Sequence, residues 1–202
     1  HILVMTATPI PRTLAMTVFG DLALSVIDQM PPGRTPVKTT MISEGHKSRA
    51  FDLIRKQVKL GLQAYIVYPL VEESEKSDLL AACDAYAALQ NGTFRDCRVG
   101  LLHGQMKTEE KEAVMAAFKA GKIDVLLSTT VIEVRVEVPK ATIMMIEHAE
   151  RFGLSQLHQL RGRVGRGSDI SECLLIKSNN CSEDGLRRLQ TMCDTNDGFK
   201  IA

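Results

Sequence analysis

The stretch "QLRGRVGRG", residues 159–167, interleaves Arg161, Arg163 and Arg166 with Gly162, Gly165 and Gly167. At about 100° per residue, a helix would bring Gln159, Arg163 and Arg166 within about 60° of one another and turn Arg161 the opposite way. Guanidinium forks on one face match phosphate oxygens bidentately. A solvated basic face, or ion pairs to Glu133, Glu147 or Glu150, would use the same residues. Each glycine costs about 1 kcal/mol relative to alanine inside a helix. A solvated helix has no need of them, whereas a site approached closely by a ligand or another backbone does.

Other polar groups sit at the ends of apolar runs. "STTVIEV" places hydroxyls at Ser128, Thr129 and Thr130, suited to a phosphate or to a local serine/threonine turn. In "LLHGQM", His103 and Gly104 would admit a backbone phosphate, or form a structural histidine turn. Met144 and Met145 read as core. No G-x-x-x-x-G-K-[ST] loop occurs, so nothing here cradles a triphosphate and its magnesium. Phosphate-seeking arginines without such a loop point to half of a two-part site, completed by another domain.

The elements that must hold these groups alternate. "VKTTMI", "AYIVYPL", "RVGLLHG", "DVLLSTT", "ATIMMIE" and "ECLLIK" read as strands. Between them "HKSRAFDLIRKQVKLG", "SDLLAACDAYAALQNG", "TEEKEAVMAAFKAG" and "LSQLHQLRGRVG" read as helices, with Thr108 as an N-cap and with Gly61 and Gly121 as stops. A further helix is expected over 183–195. Continuous apolar strands alternating with helices predict an α/β fold, a parallel sheet covered on both faces. Ligands gather at the carboxyl ends of such strands, so the polar loops and the arginine face are expected along one edge.

Composition limits the alternatives. Of 202 residues, 45% are hydrophobic and 24% charged, ordinary for a chain with a full core. The net charge of +1 gives no bulk argument for nucleic acid, so local patches must carry it. The five cysteines form no C-x-x-C pair, which argues against a metal site and for reduced thiols in the cytoplasm. No apolar run is long enough to span a bilayer, and no signal peptide is present. "HILVM" at the start and "GFKIA" at the end read as cut points of a longer chain.

Jointly, "TATPIPRTLA", "LLHGQMKTEEKEAVMAAFKAGKIDVLLSTTVIEV" and "ERFGLSQLHQLRGRVGRG" resemble motifs III, V and VI of superfamily 2 helicases, with the region after motif IV. "DQMPPGRTPV" and "TNDGFKIA" bring the resemblance closest to the RecG-type DNA helicases, ahead of the related Mfd-type translocases that couple transcription to repair. The resemblance implies a RecA-like fold. Residues 1–20 would be the tail of the first motor domain, 21–35 a linker, 36–178 the second motor domain, and 179–202 the start of a helical hairpin.

It also implies roles. Gln159, Arg163 and Arg166 match the motif whose arginines reach the γ-phosphate across the interdomain cleft. Gly162 and Gly165 would allow the nucleotide close. Thr129, Thr130, His103 and Gly104 match positions along the DNA track, and Thr6 and Thr8 the motif that relays nucleotide state to DNA. ATP and Mg2+ would be bound mainly by the first motor domain. The substrate would be branched or forked duplex DNA, and the activity fork remodelling and branch migration in DNA repair and recombination. Where the family reads V-I-E-V-G-V-D-V-P, this chain reads "VIEVRVEVP", with Arg135 at the glycine and Glu137 at the ribose-contacting aspartate. A motor decayed into a binding module is the rival that this departure raises.

Overall fold

The computed structural model describes residues 36–69, 75–129 and 137–196. Thr6, Thr8, Thr130 and Arg135, with the segments 1–20 and 21–35, lie outside the described residues. In chain order the elements are β1 (Lys38–Ser43), α1 (Lys47–Lys59), β2 (Gln63–Tyr68), α2 (Glu75–Asn91), β3 (Val99–Leu102), α3 (Thr108–Lys119) and β4 (Val125–Thr129). Then follow β5 (Ala141–Ile146), α4 (Leu154–Arg161), β6 (Glu172–Lys177) and α5 (Glu183–Asp194). Single 3-10 turns occupy Glu44–His46 and Ala149–Arg151.

The six strands form one parallel sheet in the order β1-β6-β5-β2-β4-β3. The alternation of side chains along each strand divides the core in two. Ala64, Ile66, Val125, Leu127, Ile143 and Met145 pack with Ile54 of α1 and with Ala82 and Leu89 of α2. Tyr65, Val67, Leu126, Met144 and Leu175 pack on the other face with Phe118 of α3, Leu157 of α4 and Leu189 of α5. Burial on both faces explains why the strands read as unbroken apolar runs. Gln63, buried at the start of β2, donates to the carbonyls of Phe118 and Ile123, each at 2.6 Å, and ties α3 to the sheet. None of the described helices is long and apolar enough to cross a membrane.

The structure corrects two local expectations. Thr108 is the first residue of α3 and not its N-cap; Lys107 takes that position, and its N–H is satisfied by Glu110 Oε2 at 3.0 Å. That carboxylate caps the N–H of the N-cap residue itself, whereas an N-cap hydroxyl would have accepted from an N–H of the first turn. The helix through "LSQLHQLRGRVG" ends at Arg161. Beyond it, Arg163 N–H donates to Leu160 and Val164 N–H to Arg161, a tightening into three-residue turns. Gly165 then takes φ +74°, which no helix continues through.

Candidate functional site

Helix α4 leaves the carboxyl end of β5 and must return to the amino end of β6, because the two strands are parallel neighbours. Residues 162–171 therefore lie at the amino edge of the sheet. Ser171 accepts from Lys38 N–H at 3.0 Å at the start of β1. A side chain at Gly167 would come within 2.7 Å of the Pro139 carbonyl, so only glycine lets this segment pass the chain entering β5. The single edge expected from the sequence is thus two edges. The arginine segment occupies one, and His103 and Thr129, at the ends of β3 and β4, occupy the other.

At the amino edge, Arg166 donates from Nε to the Gly162 carbonyl at 3.2 Å and from Nη1 to Glu137 Oε1 at 2.5 Å. Among the described residues its ion-pair partner is Glu137, and not Glu147 or Glu150; Glu133 lies outside the described residues. Burial pushes the Tyr65 phenol up to about 12, while the charges of Arg163 and Arg166 pull it back. The Tyr65 ring meets Phe118 edge-on at 4.9 Å between centroids. Arg163 and Arg166 follow the end of α4 and the positive-φ turn at Gly165, so they do not share a helical face. Gln159 is exposed on the last turn of α4. Two arginines three positions apart in this segment, one paired with an exposed carboxylate, supply guanidinium forks whose chemistry fits a terminal phosphate.

Arg161 is the residue that the sequence reading passed over. It is 4% exposed, and Nη1 donates to the carbonyls of Met192 at 3.0 Å and Thr195 at 2.9 Å. Nη2 meets His158 Nδ1 at 3.2 Å. Its helical phase carried the signal, since Leu157, Leu160 and Arg161 are the buried residues of α4.

At the carboxyl edge, Thr129 and Ser128 close β4 fully buried, and neither hydroxyl has a hydrogen-bond partner among the described residues. The same holds for His103 Nδ1 beyond β3, although His103 N–H reaches Met106 Sδ at 3.4 Å. His103 is thus not the fully satisfied structural histidine weighed from the sequence. The Gly104 carbonyl accepts from Lys111 Nζ at 2.6 Å. Buried polar atoms without partners are few in folded proteins and mark places that a ligand or water completes.

Residues 47–168 match the helicase conserved C-terminal domain family. Over 202 residues the chain is 54% identical to the ATP-dependent DNA helicase RecG of Synechocystis sp., covering all of this chain and 24% of that protein. A solved structure of RecG bound to a three-way DNA junction superimposes with a TM-score of 0.82 at 45% identity, over 97% of this chain and 25% of the other. The C-terminal domain of the DEAD-box protein Dbp5 shares the fold at a TM-score of 0.55 and 17% identity, over 77% of this chain and 84% of that one. The chain thus spans about a quarter of the RecG proteins it matches.

Proposed function

This chain belongs to the helicase conserved C-terminal domain family, and we propose that it is the second motor domain, with flanking pieces, of a RecG-type ATP-dependent DNA helicase. The observation that carries the reading is the division of the site between two ends of one sheet. Arg163 and Arg166 lie at the amino edge, Arg166 paired with Glu137, and the hydroxyls of Ser128 and Thr129, partnerless among the described residues, close β4 at the carboxyl edge. A module that senses a nucleotide at one end and grips a nucleic-acid backbone at the other needs this separation.

In this reading Arg163 and Arg166 stabilise charge on the γ-phosphoryl group, with Gln159 beside them. ATP and Mg2+ are held mainly by the first motor domain, and the nucleotide supplies the phosphoryl transfer. Arg166 fits that group because Gly162 and Glu137 already hold its side chain at the edge. Gly162, Gly165, Arg135 and Glu137 are assigned to the nucleotide by the same motif resemblance. Thr129, Thr130, His103 and Gly104 contact the DNA backbone, and Thr6 and Thr8 couple the two ends. The DNA is branched or forked duplex, and the full-length protein remodels forks and migrates junctions. The further partners are the first motor domain and a wedge domain of the same protein.

The test is ATP turnover by the full-length protein with forked and with linear duplex. Stimulation by the fork supports the reading, and ATP turnover indifferent to any DNA overturns it.

A further inference from the structure

β5 and β2 are neighbours at the centre of the sheet, yet the chain leaves them on opposite faces, through α4 and through α2. Strands whose connections diverge in this way open a crevice at their carboxyl ends, the usual ligand position in a parallel sheet. Val67 pairs with Ile146 and Tyr68 with Thr129, so Glu147, Tyr68 and Thr129 stand at one level across three strands. His103, one position past the Leu102–Ser128 pair, continues the row. Strand alternation puts Glu147, Tyr68 and Thr129 on the face covered by α1 and α2.

The row is polar and only partly satisfied. Glu147 is 2% exposed, and its Oε1 accepts from Lys47 Nζ at 2.6 Å and from the Tyr68 hydroxyl at 3.5 Å. Burial and the Glu147 carboxylate both raise the Tyr68 phenol, which stays a neutral donor. Lys47 is the first residue of α1 and remains 28% exposed. At the far end of the row stand the Thr129 hydroxyl and His103 Nδ1, without partners among the described residues.

The geometry points to Lys47 as a backbone-phosphate contact at the mouth of this crevice, positioned by Glu147. The inference rests on the reading that the carboxyl edge carries nucleic acid. An ammonium has three donors, and Glu147 engages one of them. Glu147 offsets the lysine's charge on the buried side, and the partly exposed ammonium keeps donors for one phosphodiester oxygen. A triphosphate would require a glycine-rich cradle that these residues do not form. Glu147 is the reason the lysine stands here: it anchors the flexible side chain at the mouth of the crevice.

The experiment measures affinity of the full-length protein for forked duplex DNA over a series of salt concentrations. Lys47→Gln should weaken binding about 3- to 10-fold at low salt and reduce the slope of log Kd against log salt by about one. Lys47→Arg should keep both. Because Lys47→Gln strands a buried carboxylate, the double variant Lys47→Gln with Glu147→Gln is measured beside it and should keep the reduced slope. A double variant with wild-type slope and affinity overturns the inference, since Lys47 would then only neutralise Glu147. If the wild-type protein shows no salt-dependent DNA binding, the proposed function itself fails, and this contact with it.

Discussion

Arg161 closes the carboxyl end of α5 by donating to the Met192 carbonyl at 3.0 Å, with the Thr195 carbonyl at 2.9 Å on the same nitrogen. The last carbonyls of a helix have no partner within it, and the helix dipole makes them attractive to a cation. Arg161 is also the residue at which α4 stops, immediately before the segment holding Arg163 and Arg166. One buried guanidinium therefore fastens α5 to the start of the arginine turn.

Arg161→Met should lower the stability of the chain by about 2 kcal/mol or more, the order expected when buried carbonyls lose a charged donor. Arg161→Lys should recover only part, because an ammonium cannot reproduce the planar fork that serves both α5 and His158. Urea unfolding of the three proteins decides it. A methionine variant within about 0.5 kcal/mol of wild type would show that the clamp does not matter.

His158 adds a pH dependence. Burial first, then the charge of Arg161, lowers its pKa from the ordinary value. The neutral ring accepts at Nδ1 from Arg161, which can only donate. The unfolded chain takes up this proton near pH 6.5 while the folded chain resists it, so the unfolded state binds more protons below that value. This contribution to stability is complete above about pH 6.5 and is lost progressively as pH falls below it. Urea midpoints at pH 7.5 and 5.5 should drop toward acid by less in His158→Gln than in wild type. An equal drop in both would assign the acid sensitivity elsewhere.

The arginine pair is expected to act on chemistry more than on DNA affinity. In the full-length protein Arg163→Ala or Arg166→Ala should cut kcat for ATP by roughly 10³-fold, the scale of arginine-finger losses. Affinity for forked DNA should change little, because these residues lie at the opposite edge of the sheet from Thr129. A matching loss of DNA affinity in either variant would contradict that division.

The isolated chain should fold around its two apolar layers and yet show no DNA-stimulated ATP hydrolysis. It has arginines for a terminal phosphate and no loop to hold the rest of the nucleotide. Turnover by the purified chain above that of an Arg163→Ala, Arg166→Ala control would refute the two-part site.

Much of this protein is legible in local sequence. "AYIVY" and "ATIMMI" announce buried strands because both faces of a central parallel strand exclude water. Gly61 and Gly121 stop their helices because each takes a positive φ. Membership of the helicase conserved C-terminal domain family is likewise legible, since it depends on residue types and spacing along the chain. Strand order is different, because it arises from pairings between distant segments that no local window contains. Only the fold decided that "QLRGRVGRG" lies at the amino edge and "STT" at the carboxyl edge, and that α4 yields to turns before Arg163. Lys47 and Glu147 are widely separated in the chain and meet only because α1 crosses the sheet from β1 to β2, over the end of β5. Nor does a residue's charge reveal its burial: Arg161 and Arg163 are two positions apart, and packing against α5 sends the first inward while the turn carries the second to the edge.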